Sequence, residues 1–389
     1  MPHNTLPIHL LKGIRELTPS ELERRLSEQP FFTDGGQWTS ICKTRGLFFD
    51  LSQLQWVGLG AAVQLVLLVE SAKKNDINVY IALPLKHFTN DEIESRNFDN
   101  DLREQIRRRR ENANNFLKII QFDKAIQCTH IIGKPEVLIT EEFQFSSNDL
   151  SYNSFFSTFQ TLYTDNKNIN FSSFNYKYLF PITWINADIN QNSVEELGIK
   201  FQEILSNIER GMSNIDVLSL KNVIISELLK NVREHAGENT KYGILAIGLL
   251  PTSVLSKNKN GRCLFYTSKI EENYTSWLIN NNIDNFIEIY FGDTGIGIVS
   301  EPLKNAYKKK FKKKDNLNKE DVLKWAFDKW SSSKVEKNIR GTKGLYRINR
   351  IVNKYNGFFI VKTHELCGGF EKGGGIFLLS GFLTKMIRG

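Results

Sequence analysis

The sequence predicts an α/β protein with more than one domain, and three observations lead there. Strand-like apolar runs alternate with segments of helical length and spacing, the pattern of a layered fold with a largely parallel sheet. The chain has 389 residues, and at roughly 150 residues per domain that gives two or three. Hydrophobic residues make up 41% and charged residues 24%, a balance that supports a sizeable core without a disulfide or metal staple.

The elements follow in order. Thr18-Pro19-Ser20-Glu21 is a helix-start signal, Asp34-Gly35-Gly36 breaks the chain, and residues 1–40 read as a helical lead-in,. Residues 46–54 are strand-like, 58–75 have helical length with a polar end, and 78–84 form a second strand,. A charged helix is expected over 98–121 and a third strand over 125–132. Residues 141–176 are rich in Phe, Ser, Asn and Tyr without a clear period and read as a connector,. Helices resume at 193–211 and 216–236, and strands at 241–251 and 285–293. The segment 341–357 repeats Leu345, Ile348, Ile351 and Val352 at helical spacing and stops at Asn356-Gly357,. Residues 358–366 and 375–383 close the chain as two strands. There is no internal repeat.

Several classes drop out. The apolar stretch Val57–Val69 is broken by Gln64 and falls short of the ~20 residues a membrane span needs,. The N-terminus lacks the pattern of a secretory signal. Cys42, Cys128, Cys263 and Cys367 lie far apart with no histidine at ligand spacing, which argues against zinc and for reduced thiols in the cytoplasm,. The net charge of +8 permits an acidic or nucleic-acid partner without establishing one,. Two basic runs carry much of it. Arg107–Arg110 sit among acidic neighbours, while Lys308–Lys314 hold six lysines with no acid before Asp315. The bland reading of both is a solvated face.

Three motifs carry the chemistry. Glu227, Asn231 and His235 are spaced by four, so on a helix they form a polar ridge beside the stripe Ile224, Leu228 and Val232,. Asp293-Thr-Gly295-Ile-Gly297 follows an apolar strand, which puts a carboxylate at a pocket edge with glycines that let a ligand approach the backbone,. Gly341-Thr-Lys343-Gly344-Leu345-Tyr346 opens a helix whose free N–H groups would face an anion,. Taken singly, each is as well explained by an amphipathic helix, a plain turn or a helix start.

In this order and spacing the three resemble the N, G1 and G2 boxes of the GHKL ATPase superfamily, over about residues 193–389. The resemblance implies a Bergerat-type α/β sandwich with ATP and Mg²⁺ under a mobile lid. It makes Glu227 the general base and Asn231 the Mg²⁺ ligand at the ATP phosphates. Asp293 would accept the adenine amino group, with Gly295 and Gly297 lining the base pocket. Gly341, Lys343, Gly344 and Leu345 would form the phosphate cradle, and residues 304–340 the lid. His235 extends the match toward the anti-sigma-type serine kinases. The G2 box is shortened to GTKGLY, and Gly373-Gly374-Gly375-Ile376 stands where the family often has Gly-Thr. Residues 133–234 contain no histidine, which argues against an ordinary histidine kinase.

Residues 48–83 are similar to a STAS domain: strand, Asp50-Leu51-Ser52, loop, helix, strand. Gly58-Leu59-Gly60-Ala61 occupies the loop where that family carries its phosphorylated serine, so this unit would dock or transmit without being switched there. The alternative is an unrelated βαβ unit. The resemblances together imply a lead-in (1–40), a STAS-like domain (41–140), a connector (141–192) and a GHKL ATP-binding domain (193–389). The expected function is slow, lid-gated ATP hydrolysis that regulates contacts with a protein partner held by the STAS-like domain. The alternatives are a serine/threonine protein kinase of the anti-sigma type, and an ATP-switched nucleic-acid-binding or scaffold protein. A homodimer stays open.

Overall fold

The computed structural model describes residues 6–28, 31–32, 38–84, 99–127, 137–139, 178–186, 226–235, 242–251, 285–295, 297–312, 317–328, 344–354, 359–363, 366–370 and 376–380. The protein is mixed α/β, with both parallel and antiparallel sheets.

The first half begins with β1 (Ile8–Leu10), β2 (Glu16–Leu17) and α1 (Pro19–Ser27). Thr18 starts α1 as its sequence suggests: Oγ1 accepts the Glu21 N–H at 3.0 Å, and Pro19 fills the first turn, where no N–H is needed,. Then come α2 (Ser40–Arg45), β3 (Leu47–Asp50), β4 (Trp56–Val57), α3 (Leu59–Lys74) and β5 (Val79–Ala82). α4 (Asn100–Ile119), α5 (Phe122–Gln127) and β6 (Val137–Ile139) complete this half. One sheet has the order β1-β3-β5-β6 and is parallel throughout, with Leu47 opposite Ile8 on one side and Val79 on the other. β2 and β4 form a separate short parallel pair.

The second half contains β7 (Tyr178–Asn186), α6 (Ser226–His235), β8 (Tyr242–Pro251) and β9 (Asn285–Gly292). α7 (Glu301–Phe311), α8 (Lys319–Ala326), α9 (Gly344–Lys354), β10 (Phe359–Thr363), β11 (Leu366–Phe370) and β12 (Ile376–Ser380) follow. β7-β8-β9 and β10-β11-β12 are antiparallel sheets.

The structure departs from the expected elements in four places. The helical lead-in holds two strands, because Ile8 and Leu10 bury on one side of a parallel pairing that no local signal announces. The expected strand at 125–132 begins as helix α5, where Phe122, Ala125 and Ile126 bury at helical spacing; residues 128–132 lie outside the described residues. The interval 141–192 assigned to a connector holds β7, a strand paired with β8. The closing strands number three, since 359–363 and 366–370 fold back on each other. The helix expected at 193–211 and the connector at 141–176 lie outside the described residues.

α3 is the structural pivot. Eleven of its sixteen residues are buried, Glu70 and Lys73 among nine small or apolar ones, and these positions surround the helix instead of forming one stripe. A helix that is apolar all round must be covered all round, and α3 packs on β5 and also on β8 and β9. Its residues share a continuous core with Leu47, Phe49 and Ile81 of the parallel sheet and with Leu179, Ile182, Ile244 and Ala246 of the antiparallel one. The approach is close: a Cβ on Gly60 would lie 2.5 Å from the Tyr290 ring, and one on Gly292 would lie 2.5 Å from Leu67 Cδ1. Gly60 belongs to the segment that aligns with the STAS phosphorylation loop. Here that segment is the buried first turn of α3.

The basic runs resolve differently. Arg107 and Arg108 are exposed and pair with Glu104, whereas Arg110 is 2% exposed, so that run is not wholly a solvated face. The lysine-rich run largely forms the end of α7, where Lys308, Lys309 and Lys310 complement the helix dipole,. α7 and α8 pack around Tyr307, Val322, Leu323 and Trp325, and Lys310 Nζ sits 5.3 Å from the Trp325 ring centroid,. Among the described residues, no helix is long and apolar enough to cross a membrane.

Candidate functional site

α6 supplies the first part of the site. Leu229 and Val232 are buried and fix the helix, with Val232 packed against Phe291 of β9. This orientation carries Glu227 and Asn231, one turn apart, toward the start of α9. Gly344, the first residue of α9, shows how close they come. A Cβ there would stand 2.9 Å from Glu227 Oε2 and 3.4 Å from Asn231 Oδ1. Any larger residue would enter the space these oxygens share. A carboxylate and an amide thus converge on a helix N-terminus that opens with glycine, the end where free N–H groups favour anions.

Glu227 is 6% exposed, and its Oε1 accepts a hydrogen bond from Arg347 Nη1, one turn into α9. The guanidinium itself reaches solvent. Arg347 was not legible as a site residue in the sequence. Its only signal is its place three residues after Gly344, on the helical ridge that meets α6.

Asp293 belongs to a second cluster, at the end of β9. Alternation along β9 turns Glu288, Tyr290 and Gly292 toward α3, and Phe291 toward α6,. Asp293 is the first residue beyond β9. Its Oδ1 accepts the Gly295 N–H at 2.7 Å, closing a tight turn, and Gly297 adopts φ +73°, a conformation that glycine takes without strain,. The Asp293 side chain has a solvent-exposed edge. The surrounding protein nevertheless raises its carboxyl pKa, with the Gly295 N–H and the Lys74 ammonium pulling the other way,. Lys74, at the end of α3, donates to Thr294 Oγ1 at 2.5 Å. Nothing local in the sequence could have placed Lys74 there, because the contact joins positions far apart in the chain.

Of the residues expected at the site, Glu227, Asn231 and Gly344 come together. Leu345, next to Gly344, packs on the α7–α8 core. Asp293 and Gly295 form the separate turn, joined to α6 through Phe291 and Val232, with Gly297 just beyond. Gly341 and Lys343 lie outside the described residues. Among the described residues, no group of three or more His, Cys, Asp or Glu side chains could hold a metal ion by itself.

The strand also carries an unexpected carboxyl. Glu288 is 8% exposed, and burial pushes its pKa up to about 8, opposed by the Tyr290 hydroxyl. Its two oxygens make no hydrogen bond of ordinary geometry among the described residues, and neither do Oε1 and Nε2 of Gln64 on α3. A lone Glu inside the apolar run of β9 was the available signal.

No protein-family model matches the chain, and no curated protein or solved structure matches it significantly.

Proposed function

We propose that the chain is a Mg²⁺-dependent ATP-binding protein of the GHKL type, a slow ATPase whose amino-terminal STAS-like unit reports the nucleotide state to a protein partner in the cytoplasm. The observation that carries this reading is the convergence of Glu227 and Asn231 on Gly344. An oxygen pair beside a glycine-opened helix start suits a polyphosphate and its cation. Mg²⁺ keeps most of its water and takes only one or two protein oxygens, so the absence of a larger ligand cluster among the described residues is compatible with it,. Asn231 Oδ1 is the ligand of choice, with the phosphates supplying others, and the bound ion would neutralise charge on the transferring phosphoryl group.

The chain's own groups have distinct tasks. The α9 N-terminus, with Gly341, Lys343, Gly344 and Leu345, holds the phosphates, while Asp293 accepts the adenine amino group beside Gly295 and Gly297. Glu227 takes the proton from the attacking water. Arg347 already occupies one Glu227 oxygen, so a water must compete with or wait for that guanidinium. This supports slow turnover.

Purified full-length protein incubated with γ-labelled ATP tests the reading. Free labelled phosphate without added partner is the expected result. Label transferred to a partner hydroxyl would convert the assignment to a protein kinase using the same Glu227. Binding without either product would leave ATP as a conformational ligand of a scaffold or nucleic-acid-binding protein. No ATP binding at all would overturn the proposal.

A further inference from the structure

The Lys74–Thr294 contact crosses from the helix at the centre of the amino-terminal half to the turn that carries Asp293. Lys74 Nζ donates to Thr294 Oγ1 at 2.5 Å, in a partly buried setting. The neighbouring residue, Asp293, feels the same ammonium. The contact is firmly held, because α3 is locked on β9 by Gly60 against Tyr290 and by Leu67 against Gly292. Asp293 and Thr294 both lie in the turn that follows β9, beside the end of α3. One lysine therefore holds the turn through Thr294 while the Asp293 carboxylate keeps an edge open to solvent.

We infer that Lys74 is a positioning residue of the nucleotide site, fixing through Thr294 the turn at residues 293–295 that presents Asp293 as a hydrogen-bond acceptor. The inference rests on the reading of Asp293 as the acceptor of the adenine amino group and extends it: the site is completed by a side chain from the amino-terminal half. Movement of α3 would then reach nucleotide affinity directly, with no further element between.

The electrostatics agree. Burial lowers the Lys74 pKa, against Glu70 on its own helix and Asp293 across the contact. Glu70 is itself raised by burial, with Lys74 and Lys73 opposing. Burial raises Asp293, opposed by Gly295 and Lys74. Removing the ammonium takes away one of the two influences that keep Asp293 ionised, so its protonation moves to higher pH. A protonated Asp293 loses acceptor character toward an amino group.

The test is isothermal titration of the full chain with a non-hydrolysable ATP analogue and Mg²⁺, at several pH values from 5 upward. Wild-type protein should bind. Lys74→Met should bind about ten-fold more weakly, with affinity beginning to fall at a higher pH than in wild type. Lys74→Arg, which keeps charge and donor, should restore most of the affinity. Thr294→Val should show a similar loss, and the double variant should lose little more than either single one. Those two variants keep the proposal testable if Lys74→Met fails to fold. Wild-type affinity with an unchanged pH profile in Lys74→Met, or in Thr294→Val where Lys74→Met fails to fold, would overturn this inference alone. Absence of analogue binding by the wild type would overturn the nucleotide reading and this inference with it.

Discussion

The two faces of the β7–β9 sheet are put to opposite uses. On one, α3 closes down so tightly that a Cβ on Gly60 would strike the Tyr290 ring and one on Gly292 would displace the end of Leu67. On the other, α6 packs through Val232 on Phe291 yet turns Glu227 and Asn231 toward the start of α9. The closed face is shared core. The open face gathers the polar groups, and β9 serves both through alternate residues. The difference shows how one strand can be held rigidly from behind while presenting a carboxylate at its end.

The sharpest way to separate the faces is to remove a polar group from the open one. Glu227→Ala should lower ATP turnover by about 10²–10⁴-fold while leaving ATP affinity close to wild type, because a general base acts chiefly in the transition state. Its effect on stability should be small beside that on turnover, since the Arg347 partner it leaves behind already reaches solvent. Steady-state kinetics with a parallel binding titration checks this. Unchanged turnover would remove Glu227 from the chemistry.

The closed face should respond in stability. Leu65 on α3 is fully buried in the core that spans both sheets. Leu65→Ala should cost about 2–5 kcal/mol in denaturant unfolding, from lost burial and the cavity left behind. Any fall in ATP affinity should be secondary to that loss.

Glu288 gives the closed face a pH signature. Its carboxyl has a reference value of 4.5 and is raised to about 8 in the fold. Between those values the folded chain holds a proton that the unfolded chain has released, so stability from this group is full below 4.5, declines as pH rises toward 8 and is flat above,. Glu288→Gln should abolish that slope and gain on the order of a few kcal/mol at high pH. Thermal melts of both proteins from pH 5 to 9 would show it. Parallel curves would mean that Glu288 is accommodated as a carboxylate.

Local signals carried much of the fold. The helices at Leu59–Lys74 and Asn100–Ile119 and the strands at Tyr242–Pro251 and Asn285–Gly292 stand within a few residues of where periodicity and caps put them. The failures share a cause. β1 and β7 are strands because partners distant in sequence pair with them, and α5 is a helix because tertiary packing favours that periodicity over a short β-branched run. The polar ridge of Glu227 and Asn231 was legible because helical spacing alone aligns it. Arg347 and Lys74 were not, since each acts across an interface that only the assembled fold creates. Glu288 was visible as an oddity in an apolar strand, yet its environment depends on α3.

The central proposal is that the chain binds ATP through Asp293. Calorimetric titration of Mg²⁺-ATP into wild type and Asp293→Asn tests it most directly. The account predicts a saturable wild-type isotherm and an affinity roughly 10- to 150-fold lower in the variant, the equivalent of about 1.5–3 kcal/mol for a charge-assisted hydrogen bond whose acceptor becomes partly a donor. Equal affinities in the two proteins, or no binding by either, would contradict it.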